Sequence, residues 1–499
     1  MGKALGTFRI VYLVALCCVG SFLFAYDTGV VGGVLTLPSF QKDFGITPAN
    51  RATVGSNATS LLQAGAFFSC FFVWPFTARF GRRWSIALAS FIFFIGGVLQ
   101  VINTHSLAAF YVARVISGIG VGMATVIIPM YSAEMAPKEI RGKLGSMFHF
   151  LFTCGVMTSY WVDYGVAENL PPTTRQWQVP IGLQLVPGGI LGLGMLLTRE
   201  STRWLAKTGR TDQALQSLIW VRGGEDNTEV REEFAEILAG IREEEQVTEG
   251  ITWKEYRLPA NRTRLMLAIT LQLGAQMTGN TSLAYYAPQI FKAVGAGDAS
   301  LLVSGFFGVV KVISCLCFLL FLVERIGRRG SLLAGAFLMG TCMLIIAVLS
   351  AVFPPVEGQG VTPTGAASVA MVYLEASRCT YLVDSREVLF EDADVHSSEL
   401  QHFLGTSTMA GTATQWLANF VFSQITPHAV ENIKWKTFMM FCIFNWALVF
   451  YVWIFIKETK GKSLEEMEDL FGSYATALDA NKAHGQVAED AEQAGGRGR

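Results

Sequence analysis

The sequence predicts an all-α membrane protein: two six-helix halves, twelve transmembrane helices in all, joined by a cytosolic helical linker. Three observations carry that prediction. The 499 residues are 52% hydrophobic and only 15% charged, where soluble domains run near 25% charged. Eleven apolar stretches approach or exceed the roughly 20 residues that span a bilayer. A tight basic loop containing glycine, R-F-G-R-R at Arg79–Arg83, recurs as E-R-I-G-R-R at Glu324–Arg329. Each copy follows the second span of its half, as an internal repeat requires.

In chain order the spans read 10–37, 54–76, 85–102, 107–132, 144–165, 179–198, 264–292, 300–323, 331–353, 405–425 and 435–456. Residues 1–198 form the first half and 263–470 the second. The first stretch is too long for a cleavable signal and carries Asp27, so it is read as the first span. Between the halves, 199–262 is rich in Glu, Arg and Lys, and T-D-Q-A-L-Q-S-L-I-W-V has amphipathic helical spacing. Short cytosolic helices are expected there. The tail 471–499 is rich in Ala, Asp, Glu and Gly and reads as disordered. Basic residues gather in alternate loops: Lys3 and Arg9, Arg79 to Arg83, Lys138 to Lys143, Arg199 to Arg210, and Arg325 to Arg329. The positive-inside rule then puts both termini in the cytosol.

The tenth span is anomalous. After Met371–Leu374 the chain reads E-A-S-R-C-T-Y-L-V-D-S-R-E-V-L-F-E-D-A-D-V-H-S-S-E-L. Glu375, Arg378, Asp384, Arg386, Glu387, Glu391, Asp392 and Asp394 cannot all lie in hydrocarbon. The favoured account is a splice or reading-frame error in the gene model, ahead of real divergence.

A net charge of −1 gives no argument for nucleic acid or a strongly anionic partner. The nine cysteines show no metal-type spacing and read as small hydrophobes, so no metal or other cofactor is expected. Asp27 is the most informative residue. A carboxylate at bilayer depth costs about 2.5–3.5 kcal/mol on insertion scales and tends to mark an ion or substrate pathway. Arg114, in R-V-I-S-G-I-G-V-G, is its candidate partner. The alternative is a structural ion pair that only orients two helices.

Together these motifs resemble the sugar porters of the major facilitator superfamily, over nearly the whole chain. They are Y-D-T-G-V at Tyr26–Val30, the Arg114–Gly122 run, P-M-Y-S-A-E-M-A-P-K-E-I-R-G at Pro129–Gly142, E-S-T-R-W-L at Glu200–Leu205, Q-M-T-G and Y-Y-A-P-Q-I-F around Gln276–Phe291, Q-W-L-A-N-F at Gln415–Phe420 and E-T-K-G-K-S-L-E-E at Glu458–Glu466. The nearest flavour is that of fungal quinate permeases and hexose transporters. The resemblance implies the major facilitator fold and no enzymatic chemistry. It implies a sugar carrier of the plasma membrane, for a hexose, pentose or polyol, working as a monomer in the lipid bilayer. Proton symport would run through Asp27 and Arg114.

By the same match, the substrate contacts are Phe24, His149, Gln272, Gln276, Thr281, Tyr285, Lys311, Gln415, Trp416 and Asn419. Amides pair with hydroxyls as both donor and acceptor, and rings cover the apolar faces of sugars. Tyr285 and Tyr286 would form an outer gate. A gating network of Arg79, Arg82, Glu134, Arg141, Glu200, Arg203, Glu324 and Arg328 would latch the two halves at their cytosolic ends, although Ala78 replaces the usual acid of the first loop. His149 replaces the usual glutamine of the fifth span, and Asn280 stands one place early. Lys311, inside the eighth span, is either the anchor for a substrate carboxylate or a structural cation. A quinate or sugar-acid permease is therefore the alternative. A non-transporting nutrient sensor, or a product inactivated by the tenth span, is the other.

Overall fold

The computed structural model describes residues 2–102, 104–248, 259–322, 327–354, 361–377, 401–456 and 458. The first half comprises α1 (Gly2–Val34), α2 (Pro38–Asp43), α3 (Arg51–Phe80), α4 (Arg82–Val101), α5 (Leu107–Met135), α6 (Lys138–Asn169), α7 (Thr174–Leu183) and α8 (Leu185–Met195). Three short helices follow: α9 (Thr202–Lys207), α10 (Thr211–Val221) and α11 (Thr228–Thr248). The second half holds α12 (Pro259–Met277), α13 (Asn280–Ala293), α14 (Ser300–Cys317), α15 (Arg328–Val352), α16 (363–377), α17 (Gln401–Asn432) and α18 (Trp435–Phe455).

Among the described residues, eight helical stretches are long and apolar enough to cross a membrane: α1, α3, α4, α5, α7 with α8, α14, α15 and α18. Three more polar stretches are packed among them. Helix α6 lies along α1 and α14, α12 along α17, and α17 along α3. Polar side chains such as Ser159, Asp163, Gln276, Asn419 and Ser423 are buried against protein there rather than facing lipid. Large apolar side chains point the other way: Phe68, Phe72, Phe91, Leu193, Phe450 and Trp453 are all exposed. An apolar belt of that size on a soluble protein would drive association, and in a bilayer it meets acyl chains.

Two spans are interrupted, and prolines stand near the interruptions. A helical proline frees the carbonyl four residues earlier. Pro180 and Pro187 flank the break between α7 and α8 at Gln184. The seventh span breaks at Thr278–Gly279, where Gly279 has φ of +88°, and Tyr286 interrupts α13 two residues before Pro288.

The first-half core is built from Leu23, Phe24, Phe93, Val121 and Ile127, and Trp416 of α17 joins it. A second core crosses the halves, uniting Ala25, Val156 and Tyr160 with Tyr285, Tyr286, Phe307 and Met343. The connecting helices pack through Trp204, Leu205, Leu218, Val230 and Phe234. One charged residue of the tenth span is described. Helix α16 continues through Glu375 to Ser377, and Glu375 is wholly buried within the bundle rather than facing lipid. Arg378, Asp384, Arg386, Glu387, Glu391, Asp392 and Asp394 lie outside the described residues.

Candidate functional site

Two ends of the bundle matter. One carries the basic loops, with Arg82 and Arg329 at helix starts. The other, the far end, carries the ends of α1 and α13 and the start of α3.

Between them sits the buried charge pair. Arg114 of α5 donates through Nη1 to Asp27 Oδ1 at 2.5 Å, with the arginine side chain fully buried. Its Nε donates to the Ala58 carbonyl at 2.8 Å, and Gln100 Oε1 lies 3.4 Å from Nη1. Gln100 is itself held by its amide on Ser117 at 2.7 Å. The pair thus ties α1, α3, α4 and α5 together. Among the described residues Arg114 Nη2 has no hydrogen-bond partner. An ionised carboxylate survives such burial only with a partner of this kind.

At the far end the halves are closed on each other. Gln63 Nε2 donates to Ser423 Oγ at 2.9 Å, and Gln424 Nε2 to Asn57 Oδ1 at 3.0 Å and Ser60 Oγ at 2.6 Å. Pro288 frees the Ala284 carbonyl, and the Tyr160 hydroxyl donates to it from the opposite half. Pro427 likewise frees the Ser423 carbonyl, which the Tyr286 hydroxyl takes at 2.9 Å. That hydroxyl also lies 3.5 Å from the Gly55 carbonyl, and Tyr285 stands 3.5 Å from Thr28 Oγ1. Neither Gln63 nor Tyr160 is among the sequence-derived candidates. Their signal was a glutamine and a tyrosine inside spans, which only a knowledge of the facing helix makes informative.

The substrate candidates are distributed over both halves. Phe24 packs against Phe148 at a 6.1 Å centroid distance, and His149 stacks on Phe152 at 5.9 Å. Trp416 Nε1 donates across the halves to Thr125 Oγ1 at 3.3 Å. Gln272 and Gln276 are buried on α12. Gln276 Oε1 accepts from Thr281 Oγ1 at 2.5 Å, across the break of the seventh span. Gln415 is half-buried. Asn419 is buried, and its Oδ1 has no partner among the described residues. Such an acceptor is costly unless a ligand or water meets it.

Lys311 is buried on α14. Its ammonium donates to Asn280 Oδ1 at 3.0 Å and lies 5.3 Å from the Phe307 ring centroid. The early asparagine is therefore in use on the lysine, leaving Thr281 beside Gln276. Glu375 lies within electrostatic reach of Lys311, and among the described residues neither of its oxygens has a hydrogen-bond partner.

At the basic-loop end the described gating residues meet neighbours within the first half. Arg82 grips Glu134 through Nε and Nη2, its shortest contact 3.0 Å, and Ser201 Oγ also donates to Glu134. Glu200 Oε1 accepts from the backbone N–H of Arg82 at 2.8 Å and Arg83 at 3.1 Å. Burial raises the Glu200 carboxyl above its ordinary value, and these backbone donors oppose the rise. All of these groups lie in the first half and the segment just after it, because α4, α5 and the end of α8 converge there. Among the described residues they bind parts of one half, not one half to the other. Trp204 Nε1 donates to the Ala78 carbonyl at 3.0 Å, so the backbone of the departing residue still anchors the segment. The second half repeats the device: Glu458 accepts from Arg329 N at 3.2 Å, and Arg329 Nη2 donates to the Trp453 carbonyl at 2.7 Å. Arg79 is exposed beside Phe80. Arg203 belongs to α9. Glu324 and the side chains of Arg141 and Arg328 lie outside what is described.

Two helical halves closed on each other at one end, with a charge pair buried inside the first half, have the form of the major facilitator fold. Solved structures share it. XylE, the proton:xylose symporter bound to 6-bromo-6-deoxy-D-glucose, superposes with a TM-score of 0.74 at 24% identity, over 93% of this chain and 100% of that one. The inward open conformation of XylE from E. coli gives 0.73 at 23% identity, over 92% and 99%. The chain belongs to the sugar (and other) transporter family, whose model matches residues 13–471. Among relatives, the quinate permease of Emericella nidulans is 33% identical over 483 residues, 93% of this chain and 88% of its own length. A probable quinate permease of Aspergillus fumigatus is 31% identical over 514 residues, 98% of this chain and 92% of its own. The protein is a multi-pass membrane transporter, not an enzyme.

Proposed function

We propose that this protein moves a polyhydroxylated carboxylate of the quinate class across the plasma membrane by alternating access, coupled to protons through Asp27 and Arg114. Both termini and the basic loops face the cytosol, and the far end faces outward. The carrying observation is Lys311: an ammonium buried among amide-bearing helices, held by Asn280. A buried ammonium needs a counter-charge. A substrate carboxylate supplies it in transport. The names of the relatives point to the same class of substrate.

A neutral sugar or polyol is the second reading, favoured by the orphan acceptor of Asn419 and the amides of Gln276 and Gln415. Uptake of labelled quinate and labelled hexoses into vesicles separates the two. Quinate uptake in the unaltered chain, lost selectively in Lys311→Gln, supports the carboxylate reading. Hexose uptake that quinate fails to inhibit overturns it.

A further inference from the structure

Asp163 is a buried acid that the site described so far does not use. It lies on α6, fully buried, and among the described residues neither carboxylate oxygen has a hydrogen-bond partner. One oxygen rests against α1: a Cβ built on Gly33 would stand 2.1 Å from Oδ2. The neighbouring groups are committed elsewhere. On α1, the Tyr26 hydroxyl donates to the Pro180 carbonyl at 2.9 Å, and Asp27 is held by Arg114. On α6, Tyr160 donates to the Ala284 carbonyl of α13, and Tyr285 of that helix lies by Thr28. Lys311 of α14 is held by Asn280. The buried face of α7 offers Gln176, Trp177, Pro180 and Ile181, none of them charged. Among the described residues Asp163 forms no ion pair.

An ionised carboxylate in such a place is untenable, and the group is accommodated only with its proton on. Its position gives that proton a role. Gly33 follows Gly32, which seats α1 on the Tyr285 carbonyl of α13, and Tyr160 stands one turn before Asp163. Asp163 therefore occupies the joint where α1, α6 and α13 meet to close the far end. Parting α13 from the other two brings water to that joint.

We infer that Asp163 is a second proton-binding site of the transport cycle: the far end closes with one proton on Asp163, taken from water on that side, and returns it on reopening. In the same closed conformation Asp27 is paired with Arg114, whereas Asp163 has no cation beside it among the described residues. The inference rests on the alternating-access reading above.

Two measurements test it without any substrate. Infrared spectroscopy of the purified protein at neutral pH should show a protonated-carboxyl band that Asp163→Asn removes. Asparagine matches the neutral acid in size, so the fold is kept. Second, a cysteine at Ser423, buried in the closure, reports far-end opening through its reaction with a membrane-impermeant maleimide. An exposed cysteine at Glu168 corrects for thiol reactivity. Labelling should fall by up to about tenfold per pH unit on acidification, as uptake of one proton requires. Asp163→Asn should abolish that dependence, whereas Asp27→Asn should keep it. An unchanged band in Asp163→Asn, or unchanged pH dependence of labelling, overturns the inference. A cysteine at Ser423 that never labels speaks against alternating access instead, and the infrared band still decides the protonation of Asp163.

Discussion

Gly32 of α1 lies directly against the backbone carbonyl of Tyr285: a Cβ placed on it would stand 2.2 Å from that oxygen. Only a residue without a side chain lets the two helices touch backbone to backbone. This contact joins the halves at the far end, beside the tyrosines that take up carbonyls freed by Pro288 and Pro427. The closure is thus built from backbone geometry and buried hydroxyls, with no ion pair across it among the described residues.

Gly32→Ala should therefore obstruct closure. Overpacking at a contact this tight costs roughly 1–3 kcal/mol. The far end should stay open for longer, and transport should fall by roughly tenfold or more with normal expression. Cysteine accessibility at Ser423 checks the first point and vesicle uptake the second. Unimpeded transport would show that the helices separate there without needing the contact.

Asp27→Asn should abolish uphill accumulation and leave part of the downhill exchange. The neutral amide keeps the shape of the carboxylate but carries no proton between states, while Arg114 loses its counter-ion. Accumulation that persists with its pH dependence intact places proton coupling elsewhere.

The amides bridging the halves set the balance between open and closed. Gln63→Ala and Gln424→Ala each remove hydrogen bonds to buried groups of the other helix, at a cost of about 1–3 kcal/mol for the partners left behind. Both variants should favour the open far end, and Gln424→Ala should increase labelling of the cysteine at Ser423. For Gln63→Ala, whose partner is Ser423 itself, opening is read instead at a cysteine replacing Thr59, which is buried on α3 in the same region.

Asn419→Ala, Gln276→Ala and Gln415→Ala should each weaken substrate affinity about tenfold or more, because hydroxyls of the ligand lose a partner worth roughly 1–3 kcal/mol. Gln276→Ala should also loosen the seventh span, since its Oε1 is held by Thr281. Binding by calorimetry separates affinity from turnover. Normal binding by all three variants would assign these amides to helix contacts alone.

The sequence by itself determined the architecture. Apolar length, alternating basic loops and a repeated R-x-G-R-R pattern are one-dimensional signals, and bilayer thickness and charge asymmetry act on them directly. It also singled out Asp27, Arg114 and Lys311, because an ionisable residue inside a span is conspicuous without any partner in view. What those groups face was decided by the tertiary structure. Glu200 and Glu458 cap helix starts inside their own halves, an arrangement that charge pattern cannot distinguish from a latch between halves. Asp163 and Glu375 are short polar interruptions in the sequence, and only packing shows them enclosed without hydrogen-bond partners. The proline-freed carbonyls found their tyrosines because helices distant in sequence converge at the far end. Hydrogen-bond satisfaction in a bilayer is a property of neighbours in space, and the order of residues along one helix does not encode them.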